Sequence, residues 1–327
     1  MAELILSRLF YVLVFPGFLF CSAAGLLLAG IDRKMVARMQ KRIGPPILQP
    51  FYDFMKLMGK ETIIPHNAAK KVYLAAPVVG FVSLVVTALL IPIFGFTAFS
   101  GVADIIVILY LLTIPAVSII IGGAASGSPY AGVGISREMV AMVSYELPFV
   151  IILLAVAKKV GLETGEGITF SLAAITQYQI ASGALITKWA LIPAALAMLL
   201  VIPCEVGSQP FDVAEAETEI CEGPLVEYSG APLGLYKLNY AIKMFIMTAL
   251  FTTLFFGGPG VSVGNEAANT AINAVLFLLI CAAVTVVCIT LIHAVTARLK
   301  VEKLFKFYWT VVTGLALLSL ILVWLGL

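Results

Sequence analysis

Residues 201–230 read VIPCEVGSQPFDVAEAETEICEGPLVEYSG, and the remainder of the chain is organised around them. We call this segment the acidic stretch, because it contains no Lys or Arg and carries the acids Glu205, Asp212, Glu215, Glu217, Glu219, Glu222 and Glu227. Long apolar runs lie on both sides of it. Uncompensated carboxylates beside a membrane cost free energy unless they face water, a partner or an ion pathway. We therefore expect the other segments to form a frame that holds this one.

The composition is that of a protein with many membrane-spanning helices. Of 327 residues, 61% are hydrophobic and 12% charged, and the mean hydropathy is +1.08, whereas a soluble domain is about half apolar and a quarter charged. The 5 cysteines show no CxxC spacing, and only 2 histidines are present. These residues do not form a ligand set for zinc, haem or an iron–sulfur cluster. Any redox cofactor is therefore expected in another subunit.

Apolar runs of about 20 residues are long enough to span a membrane, and the sequence contains eight. We predict an all-α polytopic fold with a single membrane domain, residues 1–327. The first run lacks a small-residue cleavage site and is interpreted as a retained helix rather than a signal peptide. The predicted spans are residues 4–31, 72–97, 102–124, 139–157, 184–202, 236–256, 270–295 and 304–327.

The basic residues predict the orientation, because cytoplasmic loops carry an excess of Lys and Arg. Most of them lie between the first and second runs or between the seventh and eighth. The predicted cytoplasmic loops lie near residues 32–71, 125–138, 204–235 and 296–303. Both termini are then outside the plasma membrane of a prokaryote. Lys158 and Lys159 oppose this orientation weakly.

The first basic loop contains a predicted amphipathic helix, FYDFMKLM, residues 51–58. Its aromatic and methionine side chains recur at helical spacing, and Asp53 and Lys56 take the other face. Two interpretations are open: a helix lying in the lipid interface, and a solvated loop. The aromatic face favours the interfacial helix.

Glu146 lies well inside the fourth predicted span. An ionisable residue at such depth usually faces a bundle interior or a water-filled cavity, and Pro148 frees a backbone carbonyl one turn earlier. The alternative is a neutral glutamic acid that only holds helices together; we favour an ion pathway. Glu138 lies about two turns toward the cytoplasm, so both are candidate steps of one path. Glu138 could equally pair with Arg137 at the surface.

Other charged residues have structural explanations. Lys188 is interpreted as snorkelling to the membrane boundary, whereas for the deeper Lys243 pairing with the acidic stretch is an equal alternative. Asp104 is predicted to cap the third span. Asp212 followed by Glu215 resembles a capping box, which predicts a short helix beginning at Val213.

Three motifs together resemble one family. They are Asp32-Arg33-Lys34 through Arg38, Gln40, Arg42, Gly44-Pro45, Gln49-Pro50 and Lys60-Glu61; Ser136-Arg137 with Ser144-Tyr145-Glu146; and Pro210-Phe211-Asp212, Glu215-Ala216-Glu217 and Glu227-Tyr228-Ser229-Gly230. The sequence resembles the membrane subunit of respiratory complex I that joins the hydrophilic arm to the membrane arm (the H subunit, or subunit 1, of NADH-quinone oxidoreductase). It is most similar to the homologous subunit of energy-converting membrane-bound nickel–iron hydrogenases.

Two departures separate it from the quinone-reducing members. Gly44-Pro45-Pro46 continues almost directly to Gln49-Pro50, without their longer insert. Val206-Gly207-Ser208-Gln209 precedes Pro-Phe-Asp, so their Arg is missing. The short Gly-Pro-Pro form resembles membrane-bound hydrogenases and related ferredoxin-linked reductases, which weighs against a quinone site.

The resemblance implies a non-redox subunit, with no catalytic centre or cofactor of its own, that couples electron transfer in soluble partners to proton or sodium-ion movement. It places Glu146, Glu205, Asp212, Glu215 and Glu217 on positions tied to the coupling path. Position, charge and depth add Glu138, Glu219, Glu222 and Lys243. Candidates for the partner-arm interface are Arg33, Arg38, Arg42, Gln49, Phe51, Phe54, Glu227 and Tyr228.

The implied partners are soluble hydrogenase-like large and small subunits, a ferredoxin-like iron–sulfur subunit and antiporter-like membrane subunits. The nickel–iron centre and the iron–sulfur clusters are expected in those partners, and no nucleic acid is expected. A quinone-site-lining subunit and a sulfur-reducing relative are the alternatives. A free-standing transporter is a third hypothesis, although the internal repeats typical of transporters are not visible.

Overall fold

The computed structural model describes residues 2–94, 104–165, 167–257 and 266–326, and within these ranges the chain is all-helical, as predicted. The helices are α1 Ala2–Leu13, α2 Phe18–Met39, α3 Gln49–Met58, α4 Lys70–Leu90, α5 Ile105–Ser126, α6 Pro129–Thr164, α7 Leu172–Ser182, α8 Ile192–Val206, α9 Glu217–Ile220, α10 Gly230–Phe255, α11 Glu266–Thr285, α12 Leu291–Val295, α13 Val301–Phe307 and α14 Thr313–Trp324. Single π-helical turns, Val286–Thr290 and Tyr308–Val312, join α11 to α12 and α13 to α14.

Eight segments of the described residues are long and apolar enough to cross a membrane, which confirms the predicted number. They are Arg8–Met39, Lys70–Leu90, Ile105–Ser126, Pro129–Thr164, Trp189–Val206, Gly230–Phe255, Asn269–Val295 and Val301–Trp324. The span ends predicted at residues 97, 102 and 327 lie outside the described residues. Asp104 caps α5 as predicted, because its carboxylate accepts a hydrogen bond from the Ile106 amide at 3.2 Å.

Several helices extend into the segments predicted as loops. The largest difference is α6, which begins at Pro129, so residues 129–138 are helical. Its first turn carries a proline and its end is followed by Gly165 in the left-handed region, which are ordinary start and stop signals. Its 36 residues extend about 54 Å at 1.5 Å per residue, well beyond the hydrocarbon core of about 30 Å. Similarly, α2 continues to Met39 and α10 begins at Gly230.

Helix α10 lies at the centre of the bundle. In the 18-residue apolar segment of each span, 94% of the residues are buried for α10, against 33% to 67% for the other spans. It packs against α2, α4, α8 and α11. Its buried polar residues include Asn239, Lys243 and a run of threonines. A charge on α10 is therefore held away from lipid by this chain alone.

The C-terminal end of the acidic stretch is fastened to α4. The rings of Tyr73 and Tyr228 stack with centroids 4.1 Å apart, and Tyr236 meets Tyr228 edge-on. The Tyr228 hydroxyl donates to the Tyr73 carbonyl at 3.1 Å, and the Tyr73 hydroxyl donates to the Glu227 carbonyl at 2.7 Å. Tyr228 is 4% exposed, so its prediction as a partner-arm contact is wrong: it holds the stretch in place from inside.

The helix predicted to begin at Val213 is also wrong. Residues 212–216 are not helical, and the short helix α9 begins only at Glu217. The Asp212 carboxylate binds Arg298 instead of capping a helix. A charged partner that is distant in sequence has overridden a local capping pattern.

The basic loop and the acidic stretch meet at one end of the bundle, since residues of both line one cavity. We predict that Lys41→Cys and Glu219→Cys, made after replacing the exposed Cys221, react with a membrane-impermeant maleimide from the cytoplasmic side only. Lys188→Cys, near the start of a span at the other end, should react from the outside. Labelling of Lys41→Cys and Glu219→Cys from opposite sides would contradict the fold, and labelling of both from outside would contradict the orientation inferred from the basic residues.

Candidate functional site

A cavity of about 480 Å³ lies at the end of the bundle where the basic loop meets the acidic stretch. Acidic side chains outnumber basic ones in its wall. The acidic and basic residues that line it are Asp32, Arg33, Asp53, Lys56, Asp212, Glu215, Glu217, Glu222, Lys237, His293 and Arg298. Such a wall suits water and ions better than a purely apolar ligand.

Asp212 and Arg298 form a forked ion pair at the cavity wall. The Asp212 carboxylate accepts from Arg298 Nη2 at 2.8 Å and from Nε at 3.1 Å, and both side chains are largely buried. A planar guanidinium bound through two nitrogens fixes orientation as well as charge. The Leu299 amide also donates to the Pro210 carbonyl at 3.2 Å. The acidic stretch is thereby tied to the segment that precedes α13.

Asp32 and His293 line the same cavity and form a second polar group with Thr290. Asp32 is buried and accepts from the Thr290 hydroxyl at 2.7 Å, while His293 Nδ1 lies 3.7 Å from its other oxygen. Thr290 belongs to a π-helical turn, a feature that recurs at functional sites. The sequence predicted neither Thr290 nor His293 here. An isolated histidine near the end of a span was the only signal.

Lys243 pairs with Glu205 inside the bundle, so the pairing alternative is confirmed. Lys243 Nζ lies 2.9 Å from Glu205 Oε1, and the two side chains are 9% and 3% exposed. Glu205 lies in the last turn of α8 and Lys243 near the middle of α10. Removing one member of a buried pair leaves an uncompensated charge, at a cost of about 3–5 kcal/mol.

Glu138 and Glu146 both interact with this ion pair. Each interacts electrostatically with Glu205 and with Lys243, and Glu138 also with Glu215. The two glutamates are about 12 Å apart along α6 at 1.5 Å per residue. Among the described residues neither has a cation within ion-pair distance. We call Glu215, Glu138, Glu205, Lys243 and Glu146 the acidic row.

Arg137 binds Glu219 rather than Glu138. The distance from Arg137 Nη1 to Glu219 Oε2 is 2.5 Å, so the surface pairing proposed for Glu138 is wrong. Glu219 is exposed and does not line the cavity. Glu219 was predicted to belong to the ion pathway. In the structure its contact with Arg137 instead joins α9 to α6.

Glu146 lies at the edge of this chain rather than in its interior. It is partly exposed, and its neighbours Val143, Leu147 and Val150 are exposed. Of the two surroundings expected for Glu146, a bundle interior or a water-filled cavity, the interior of this chain's own bundle is wrong: α6 turns other side chains toward α5, α8 and α14. A carboxyl at membrane depth is costly against lipid, so this face requires a polar or protein cover.

Glu215, Glu217 and Glu222 face the cavity without a direct cation, within the described residues. Burial raises the pKa of Glu215, and the charges of Glu222, Asp212 and Glu217 raise it further, while Lys237 opposes them. Protonation of this carboxyl is thus favoured closer to neutral pH than usual. It can accept a proton at the mouth of the acidic row.

The basic loop is fixed by Asp53, which binds Arg33 at 2.9 Å and Gln49 at 3.0 Å. Slight burial acts to raise the pKa of Asp53, but the hydrogen bonds from Gln49 and Arg33 and the nearby positive charges outweigh it and hold the pKa below its usual value. The predicted helix in this loop is present as α3.

The candidate interface residues of the basic loop and the acidic stretch differ in exposure. Phe51 and Phe54 pack against the core rather than presenting a surface, whereas Arg38, Arg42 and Glu227 are exposed. On α3 itself the exposed apolar side chains are Tyr52, Met55 and Met58. Among the described residues no group of His, Cys, Asp and Glu could hold a metal ion.

Residues 11–324 match the family described as NADH dehydrogenase. This chain belongs to that family. It is 33% identical over 312 residues to the H subunit of NADH-quinone oxidoreductase from Thermomicrobium roseum, covering 88% of this chain and 87% of that protein. It is 36% identical over 230 residues to hydrogenase-4 component C of Escherichia coli, covering 70% of each.

The fold matches a chain in the structure of a membrane-bound sulfane sulfur reductase, an archaeal respiratory membrane complex. The TM-score is 0.87 at 29% identity, and the match covers 98% of this chain and 99% of that one. The family resemblance inferred from the three motifs is therefore confirmed. The chain is a multi-pass membrane subunit of a complex I-like or hydrogenase-type assembly with partner subunits.

The buried pair allows a test by double substitution. We predict that Lys243→Met or Glu205→Gln alone lowers the thermal stability of the assembled complex, because each leaves one buried group without its partner. Lys243→Met with Glu205→Gln should be more stable than Lys243→Met alone, since no unpaired charge remains. The measurement is the survival of the complex on size-exclusion chromatography after heating. Strictly additive losses in the double variant would show that the two side chains are not coupled.

Proposed function

We propose that this chain is the membrane anchor and coupling subunit of a ferredoxin-linked, ion-translocating complex of the hydrogenase type. The observation that carries the proposal is the acidic row. It runs from Glu215 at the cavity, through Glu138 and the Glu205–Lys243 pair, to Glu146 at the edge of the chain. A row of ionisable groups inside a membrane protein is the arrangement that proton and cation pathways use.

Lys243 makes the row respond as a unit. Its single positive charge attracts Glu205 directly and Glu138 and Glu146 at longer range. Two unit charges 4 Å apart interact by about 4 kcal/mol at the effective dielectric constant of 20 typical of proteins. A proton or cation that arrives at one carboxylate therefore changes how strongly Lys243 holds the others. Charge entering at the cavity end alters the state of Glu146 without a long mechanical movement.

The cavity is where the redox reaction acts on this row. Asp212, Glu215 and Arg298 lie in its wall, beside the segments proposed to face the soluble arm. A change of charge in a partner at the mouth of the cavity would shift the balance between the Asp212–Arg298 pair and the uncompensated Glu215. The partners proposed there are hydrogenase-like large and small subunits and a ferredoxin-like iron–sulfur subunit, which hold the nickel–iron and iron–sulfur centres.

Glu146 is where the row leaves this chain. Because it is partly exposed at membrane depth, a neighbouring subunit must cover it. We propose that an antiporter-like membrane subunit does so and continues the path for protons or sodium ions.

Two relatives support alternative terminal acceptors for the same coupling role. The close structural match to a chain of a sulfane sulfur reductase favours sulfur reduction, and the similarity to a component of NADH-quinone oxidoreductase favours a quinone. The many charges in the cavity wall weigh against the quinone. The complex purified in mild detergent should be assayed for nickel, hydrogen evolution, sulfide release and quinone reduction. Quinone reduction without nickel or hydrogen evolution would exclude the hydrogenase assignment.

The coupling role predicts that Glu146→Gln separates electron transfer from ion movement. Glutamine keeps the shape and hydrogen bonding but cannot titrate. We expect an assembled complex with at least half of its electron transfer to an artificial acceptor, and ion uptake into inverted vesicles reduced at least tenfold. Glu163→Gln on the same helix, which changes an acid held by Lys159 and Lys188, should leave ion uptake unchanged. Normal uptake with Glu146→Gln would show that Glu146 has only a structural role.

A further inference from the structure

A second concave surface lies on the membrane-facing side of α4 and α5, away from the acidic row. It is an open groove of about 350 Å³, lined by side chains of α4 between Lys71 and Val79 and of α5 between Ile114 and Ile121. We call it the α4–α5 groove. Its rims are exposed at Val72, Val79, Val117 and Ile121. Its floor is made by the small buried residues Ala76 and Ser118, which leave space between the two helices.

The groove is apolar along its whole length except at one end. The Ser118 hydroxyl donates to the Pro115 carbonyl at 2.7 Å, and the Ser118 carbonyl accepts from Tyr236. Its floor therefore has no hydrogen-bond donor left to bind a ligand. A hydrocarbon chain fits such a surface, whereas a polar molecule would lose hydrogen bonds to water without replacement.

The length of the groove matches one leaflet. Lys71 and Val79 mark its two ends on α4, about 12 Å apart at 1.5 Å per residue. The hydrocarbon core is about 30 Å thick, so one leaflet contributes about 15 Å. Lys71 lies at the start of the span, because α4 begins at Lys70. The groove thus runs from the headgroup level toward the middle of the bilayer.

The open end of the groove carries positive charge that this chain does not neutralise. Lys70 and Lys71 are exposed, and neither forms an ion pair with a described acid. Basic residues between transmembrane helices at the cytoplasmic boundary attract anionic lipid headgroups. The charge is therefore complementary to a phosphate at the level where lipid phosphates lie.

We propose that the α4–α5 groove binds one anionic phospholipid, with its phosphate on Lys71 and one hydrocarbon tail between Val72, Val79, Val117 and Ile121. The combination of an apolar floor one leaflet long with a lysine at its mouth matches the two parts of that ligand. A transmembrane helix of a partner would use Lys71 only if it placed an acid or its C-terminus at that level, whereas every anionic phospholipid carries a phosphate there. The bound lipid would lie close to the tyrosines that hold the acidic stretch, because Tyr236 of α10 donates to the carbonyl of Ser118 in the groove floor and Tyr73 lies on α4 two residues before Ala75.

The test uses the whole complex, purified in mild detergent and reconstituted into nanodiscs of phosphatidylcholine with a minor fraction of phosphatidylglycerol. Native mass spectrometry and lipid extraction then report phosphatidylglycerol bound per complex. We expect enrichment above the bulk fraction for the unchanged protein. Lys71→Ala should weaken it about fivefold, the equivalent of about 1 kcal/mol for one basic residue near the surface. Ala75→Trp, which fills the groove, should abolish it.

Matched controls lie next to the groove and at the other end of the molecule. Val78→Trp places the same bulk on α4 at an exposed valine outside the groove, and Lys188→Ala removes a lysine at the opposite boundary. Both should leave the enrichment unchanged. The proposal would be overturned if Lys71→Ala and Ala75→Trp both showed the same phosphatidylglycerol enrichment as the unchanged protein. Loss of a partner subunit with Ala75→Trp at unchanged phosphatidylglycerol would also overturn it, since it would show that a protein helix occupies the groove.

Discussion

The ion pair between Lys243 and Glu205 is the interaction on which the charged interior of this protein depends. Both side chains are almost fully removed from solvent, and taking each charge out of water costs several kcal/mol that the pair must recover through close contact. That contact requires α8 and α10 to pack side by side at the depth of Lys243. The burial of α10 follows from the same need, because a lysine at this depth would otherwise face lipid. Without this one cation, the carboxyls of Glu138 and Glu146 would only repel Glu205.

The acids of the acidic stretch divide into those that hold the structure and those that are free to respond. Asp212 is bound by Arg298, Glu219 by Arg137, and the backbone of Glu227 by Tyr73. These contacts fasten the stretch to α6, to α4 and to the segment between α12 and α13. Between them, Glu215, Glu217 and Glu222 face the cavity without a direct cation among the described residues. A firmly held loop with an uncompensated middle is well suited to sense charge, because its carboxylates cannot avoid a change by moving away.

Hydropathy and charge predicted the frame well and the pairings poorly, for a physical reason. Eight spans follow from burial of apolar surface, which is a property of each segment by itself. The partner of Asp212 is 86 residues away along the chain, so no local pattern could find it. The capping box predicted at Val213 does not form, because the Asp212 carboxylate binds Arg298 instead. The pairing of Lys243 was foreseen only as one of two alternatives, since depth indicates that a partner is needed but does not name it. Tyr228 was misplaced because a motif marks a residue as important without telling whether it faces inward or outward.

The outer surface of the bundle differs in chemistry from one side to another, and this difference constrains how an assembly can form around it. On α6, the partly exposed Glu146 makes contact with lipid unfavourable, so this side is suited to another subunit. Between α4 and α5, an apolar groove ends at a lysine that pairs with no described acid, and that combination suits a lipid better than a helix. The same constraint, that charge at a membrane must find water or a counter-charge, therefore operates at both places. In the interior it produces the acidic row, and at the surface it separates the side that needs protein from the side that can remain in the bilayer.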